Sequence, residues 1–256
     1  MTMTTSGNGW RFAARPIDEG GTTVAEWRAW GRKFPTLDLT DCPALIVVAP
    51  HPDDETLGFG ATASALRRRG VDVTVVAVSD GGGEVPGLSR LERTWLERDR
   101  RAELRRATGI LGLGEPICLG LPDGDLSAHE DELTGILADR LAAAPRGTWC
   151  ATTWRGDGHP DHEAVGRSAA AAVDQAGARL MEFPLWMWHW AWPDDPDVPW
   201  DRMAMAPHDA ASTARKRRAT GAFETQFTPF EPGMDVVLPP FVLQRLFAVG
   251  EAVFLT

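Results

Sequence analysis

The chain has 256 residues, 43% of them apolar and 24% charged, enough to bury a full core as one large domain or two small ones. Its net charge of -10 argues against a protein that tracks nucleic-acid phosphates, so no nucleic-acid partner is expected. Cys42, Cys118 and Cys150 lie far apart without CxxC spacing, so neither a disulfide frame nor a thiolate metal site is expected. The opening MTMTTSGNGW has no basic or apolar leader region, and no apolar run approaches the ~20 residues that cross a bilayer. A cytoplasmic protein without a membrane span is the expectation.

In chain order, residues 1–40 are polar and Gly/Thr-rich and read as an N-terminal extension. One helical patch, TVAEWRAWGRKF, is capped by Thr22 or Thr23. ALIVVA (44–49) is too short and uniformly apolar for a surface strand and suits a central parallel strand covered on both faces. A helix is predicted over 56–69, ended by three arginines and Gly70. Next come a strand (VDVTVVAV, 71–78), a loop (SDGGGEVPG), a charged helix (90–111) and a short strand with a turn (PICLGLPDG). A helix over 127–144 and a strand at 148–153 precede the loop WRGDG and a helix from Pro160 to about Ala176. This alternation predicts the α/β class: a Rossmann-like, doubly wound, mostly parallel sheet with helices on both faces. Residues 41–256 read as a single domain. From 179 onward the pattern loosens into a Trp-rich strand, a Pro/Asp loop, a basic helix near 209–227 and a final apolar segment. That portion reads as the variable part of the domain.

Two stretches carry chemistry, PHPDDE (50–55) after the first strand and DGHPDHEAVG (157–166) after the strand at 148–153. Both fall at the carboxyl ends of strands, where open α/β sheets place their sites. His51 and Asp54 are three apart, as are His159 and His162, and the pairs offer imidazole and carboxylate donors that suit a mononuclear zinc site with one open position. Each cluster alone also has a structural explanation. The acids could complement a helix amino terminus, and the histidines could be solvated turn residues. Two such clusters on one sheet edge weaken that explanation. Spacing alone does not say which of Asp53 and Asp54 is a ligand and which a base.

The pair PHPDDE and HPDH resembles the signature of the PIG-L/LmbE-like zinc-dependent de-N-acetylases, which act on N-acylated amino sugars. Arg100 and Glu103 in RRAELRRATGILG are similar to that family's R-x-x-E helix, Asp123 in LPDG to a recurring Asp, and Lys216 through Gln226 to its late K…A…[ST]-Q segment. The chain departs from many members at Phe223, where they carry a histidine, and it contains no tyrosine. The resemblance implies that His51, Asp54 and His162 bind zinc and that Asp53 is the general base toward an attacking water. It also implies that His159 polarises the oxyanion or protonates the leaving amine, with Asp161 orienting it. The implied activity is hydrolysis of an acyl, most plausibly acetyl, amide on an amino sugar or its conjugate, a small-molecule substrate. The rivals are a zinc amidase on a non-sugar amide and a catalytically silent sugar-binding protein. A homo-oligomer is left open.

PLWMWHWAW places Trp186, Trp188, Trp190 and Trp192 at period two, hence on one face of a strand. Such a ladder would be either a glycan platform or packed indoles, the usual fate of tryptophan. His189 would then lie opposite, with a structural role. SDGGGEVPG does not fit G-x-G-x-x-G, and Pro86 stands where a helix would open, so no nucleotide site is expected.

Overall fold

A computed structural model of the protein describes residues 7–256. In chain order the strands are β1 (Ala44–Ala49), β2 (Asp72–Ser79), β3 (Ile117–Leu121), β4 (Trp149–Thr153), β5 (Arg179–Phe183), β6 (Met203–Met205) and β7 (Ala252–Leu255). They form one sheet ordered β3-β2-β1-β4-β5-β7-β6. The first five are mutually parallel, and β7 runs antiparallel to both β5 and β6. Neighbours therefore reverse their sequence order between β1 and β4, opening a crevice at the carboxyl ends of those two strands.

The helices are α1 (Gly9–Ala13), α2 (Val24–Trp30), α3 (Asp54–Arg68), α4 (Arg90–Leu111), α5 (Glu130–Ala143), α6 (Pro160–Ala176), α7 (Met187–Trp190), α8 (Ala210–Thr220), α9 (Glu224–Phe227) and α10 (Pro240–Val249). Strand β1 shows why the sheet is covered twice. Leu45 and Val47 join a core with Leu66 of α3 and Leu104 of α4, while Ile46 and Val48 join a second core with Leu133 of α5 and Val165 of α6. Each such fully buried side chain contributes about 1.5–3 kcal/mol relative to exposure. The expected doubly wound sheet with helices on both faces is present. Among the described residues no helix is long and apolar enough to cross a membrane.

Two local expectations are corrected. Helix α3 begins at Asp54, two residues earlier than predicted, because Asp53 takes the N-cap position with a φ of 142°. The Trp-rich segment is no strand. It turns into the four-residue helix α7, where Trp188 and Trp190 are buried, Trp186 is half-buried and Trp192 is exposed, so the indoles share no face. Its backbone does not pair in a ladder, because the N–H groups of Leu185, Trp186 and Met187 all donate to the carboxylate of Asp157. His189 is buried against the Arg15 carbonyl and Arg245, in keeping with a structural role.

The segment before residue 41 packs onto this region. Thr23 caps α2 in a reciprocal box with Glu26. Trp27 is buried edge-on against Trp188 with its N–H on the Trp188 carbonyl, 2.9 Å away. Phe12 of α1 lies 5.0 Å from the ring of Trp186.

Candidate active site

The turn after β1 carries His51, Asp53 and Asp54, and the turn after β4 carries Asp157, His159, Asp161 and His162. Since β1 and β4 are hydrogen-bonded neighbours, both turns open into one crevice. The cavity there has a volume of about 190 Å³. His51, Asp53, Asp54, His159, Asp161 and His162 all line it, so the structure brings together every site residue expected from the sequence. Leu57, Leu185, Trp186, Val242 and Leu246 form an apolar wall.

Asp54 is the hub. Its Oδ2 lies 3.1 Å from His51 Nδ1 and 3.4 Å from His162 Nε2. The far nitrogen of each imidazole meets an outer carboxylate. His51 Nε2 faces Asp123 at 3.0 Å and Asp161 at 3.3 Å, and His162 Nδ1 faces Asp157 at 2.8 Å. Those outer carboxylates are themselves anchored. Asp161 accepts from the backbone N–H of Gly124 and Leu126, and Asp123 from that of Gly83. Asp161 meets His159 through its backbone, whose N–H donates to His159 Nδ1.

This donor set fits a divalent cation. Ligand atoms of His51, Asp54 and His162 all lie within 4.8 Å of one another. Tetrahedral ligands about 2.0–2.1 Å from zinc are separated by roughly 3.3 Å, close to both Asp54 distances. Metal-bound histidines characteristically donate their other N–H to a carboxylate, as both rings here are placed to do. His51, His159 and Asp161 form a second group of the same span, but there the Asp161 carboxylate is already committed to two backbone donors.

Electrostatics divide the two neighbouring acids. Burial and the adjacent Asp54 push Asp53 well above the usual carboxylate range, against the pull of Arg100, whose guanidinium is 3.7 Å away. Burial also works to raise Asp54, but the charge and hydrogen bonds of His162 and His51 hold it well below that range. Burial, then repulsion from His162 and His51, pushes His159 down to about 3. Burial opposes protonation of His162 too, yet Asp54 and Asp157 raise it to about 9.

Sequence reasoning missed Asp157 as a partner of His162, although it stands inside the quoted DGHPDH stretch. It is fully buried, and a separation of five residues carried no sign of the contact. Glu84 was also missed. It pairs with Arg100 and accepts from Gln226 at the cavity mouth, and only its place in a loop after a strand could have flagged it. Phe12, 6.1 Å from the His159 ring, gave no signal.

A family model described as PIG-L: GlcNAc-PI de-N-acetylase matches residues 46–173, the span from β1 through most of α6. A 1D-myo-inositol 2-acetamido-2-deoxy-alpha-D-glucopyranoside deacetylase of Mycobacterium sp. (strain KMS) is 33% identical over 167 residues, covering 55% of this chain and 53% of that protein. A protein of the same description from a Nocardioides species is 32% identical over 245 residues, covering 81% of this chain and 77% of its own length. The chain spans about half the length of the first curated relatives it matches. Among solved structures, the conserved protein TT1542 from Thermus thermophilus superposes with a TM-score of 0.56 at 27% identity, covering 78% of this chain and 84% of that one. The matched span holds both site turns, and the Nocardioides relative extends the likeness over most of the chain: the protein belongs to the PIG-L de-N-acetylase family.

Proposed function

We propose that the protein hydrolyses the amide of an N-acylated amino sugar or sugar conjugate, most simply an N-acetyl group, with His51, Asp54 and His162 holding a zinc ion. One observation carries this reading. Two histidines converge on one carboxylate, each backed by an outer carboxylate, in a cavity that also holds an unligated acid and a third histidine. The family and the N-acetylated sugar substrates named for its relatives supply the substrate class.

Bound there, zinc supplies Lewis acidity toward the amide carbonyl and acidifies water to a pKa of about 7. Asp53 takes the proton of the attacking water as its oxygen adds to the carbonyl carbon, and Arg100 steadies the carboxylate for that task. His159 has its Nδ1 occupied by the Asp161 N–H, which places the ring proton of the neutral imidazole on Nε2. That N–H is suited to stabilise the developing oxyanion, the first of the two roles left open by the sequence. The C–N bond then breaks, and the proton held by Asp53 passes to the departing amine. Products are the free amino sugar and a carboxylic acid. Leu57, Leu185 and Trp186 give one side of the cavity an apolar surface.

The test is acetate release from a panel of N-acetylglucosamine conjugates by zinc-loaded protein. Asp53→Asn should keep the metal while kcat falls about 10²–10⁴-fold. Metal lost in Asp53→Asn but kept in Asp54→Asn would exchange the two roles.

A further inference from the structure

We infer that a groove beside the cavity is a second substrate subsite, which takes an aromatic, positively charged part of the molecule whose amide is cut. The inference rests on the hydrolytic reading above. The groove has a volume of about 750 Å³, against about 190 Å³ for the inner cavity, and Glu84 and Val237 line both. Glu84 and Val237 thus connect the two spaces, so a group carried by an acylated sugar in the inner cavity can extend past them into the groove.

Two properties of the groove define its occupant. The first is its exposed apolar surface. Trp95 of α4 is 51% exposed, and Phe230 and Met234, in the loop after α9, are 41% and 40% exposed. Single exposed apolar residues need no explanation, but three, brought from one helix and one distant loop onto a concave surface, form a patch suited to a flat apolar ligand. The second is charge. Six carboxylates line the groove (Glu84, Glu92, Asp99, Glu103, Glu224 and Asp235), with Arg106 the opposing cation among its lining residues. Four are committed locally: Glu84 to Arg100, Glu92 to Ser89, Asp99 to Arg98 and Glu103 to Thr225. Glu224 and Asp235 have no side-chain partner among the described residues and line the same groove as the exposed aromatics. An aromatic cation satisfies both features, since the ring stacks on Trp95 or Phe230 and the charge meets the acids. A neutral sugar would leave the acids unused, and an anion would be repelled. Of the two fates open to the indoles at 186–192, Trp188 and Trp190 take packing in the core, whereas Trp95 offers an exposed indole on another element.

The experiment compares N-acetylglucosamine with its 4-(aminomethyl)phenyl and 4-methylphenyl β-glycosides, with acetate release as the readout. The cationic glycoside should have the highest kcat/KM, and its advantage over N-acetylglucosamine should fall about 10-fold in Trp95→Ala. In the double variant Glu224→Gln/Asp235→Asn, the preference for the cationic over the neutral glycoside should disappear. Trp10→Ala, which removes a still more exposed indole outside the groove, serves as the control. Calorimetric titration of Asp53→Asn with the cationic glycoside reads binding without turnover. Trp95-dependent binding with no acetate release from the parent protein would refute the hydrolytic reading and uphold the subsite. Equal binding and equal kcat/KM ratios in the parent and Trp95→Ala would overturn the subsite.

Discussion

Replacing Asp157 with asparagine removes one charge and a single oxygen, yet the structure predicts a large effect. The carboxylate is fully buried and serves four groups. Oδ1 accepts from the N–H of Leu185 and Met187, and Oδ2 accepts from the N–H of Trp186 and faces His162 Nδ1. An asparagine keeps one acceptor oxygen and has two orientations. With its oxygen in the Oδ2 position, the NH₂ confronts the N–H groups of Leu185 and Met187. Two buried donors at about 1–3 kcal/mol each make roughly 2–6 kcal/mol. For a chain of this size that is a fall in Tm of roughly 4–24 °C. With its oxygen in the Oδ1 position, the NH₂ faces His162 and demands a bare Nδ1. The imidazole proton then moves to Nε2, the atom directed at Asp54, and His162 no longer serves as a ligand. Metal affinity should then fall about 10–100-fold, as when other outer partners of metal-bound histidines are lost. Thermal unfolding and chelator-competition titration together cover both orientations. An Asp157→Asn protein with unchanged Tm and unchanged metal affinity would refute the role given to this carboxylate.

Further outcomes follow from the same geometry. Purified protein should carry about one divalent ion per chain, and elemental analysis should find it lost in both His51→Ala and His162→Ala. Lys216 is buried with its ammonium 2.8 Å from Glu251 and 2.6 Å from the Leu57 carbonyl, and Glu251 in turn accepts from the N–H of Ala61 and Thr62 in α3. Lys216→Met should destabilise the fold by about 3–5 kcal/mol, read by denaturant unfolding, and adding Glu251→Gln should recover part of the loss. Trp27→Ala should cost about 3–5 kcal/mol in the same assay, because the segment before residue 41 packs its indole against Trp188. A cost under about 1 kcal/mol would mean that segment adds little to the core.

Much of this was legible from local pattern. ALIVVA is apolar throughout because β1 lies at the centre of a sheet covered on both faces, and the alternation of strand and helix around it gave the class of fold. The two turns announced themselves through histidine and carboxylate at strand ends. What escaped depends on contacts between distant segments. Period-two tryptophans resemble a strand, but the decision rested with the Asp157 carboxylate, about thirty residues upstream, which takes the three backbone donors a strand would have paired. The antiparallel insertion of β7 between β5 and β6 is set by the last residues of the chain, whose short apolar text is silent on a partner. Glu84 and Arg100 meet across a loop and a helix, and neither letter implies the other.

The division of labour between Asp53 and Asp54 shows how such contacts turn identical letters into different chemistry. Asp53 sits at φ 142°, a conformation that costs a non-glycine residue about 1–3 kcal/mol. The surroundings hold it there. The Pro50 carbonyl accepts from the N–H and hydroxyl of Ser79 on β2, and the Pro52 carbonyl accepts from Arg100 on α4. With the turn clamped on both sides, Asp54 begins α3 directed at His51 and His162, while the Asp53 carboxylate lies beside Arg100. The first is committed to cations and held well below the usual carboxylate range. The second is raised by burial and by the charge of its own neighbour, the condition of an acid able to exchange a proton. One guanidinium thus fixes both the backbone of the turn and the surroundings of the Asp53 carboxylate. On this view the assignment of ligand and base proposed above follows from the shape of the turn: a variant that relaxed Asp53 into ordinary helical geometry would keep both acids and lose the difference between them.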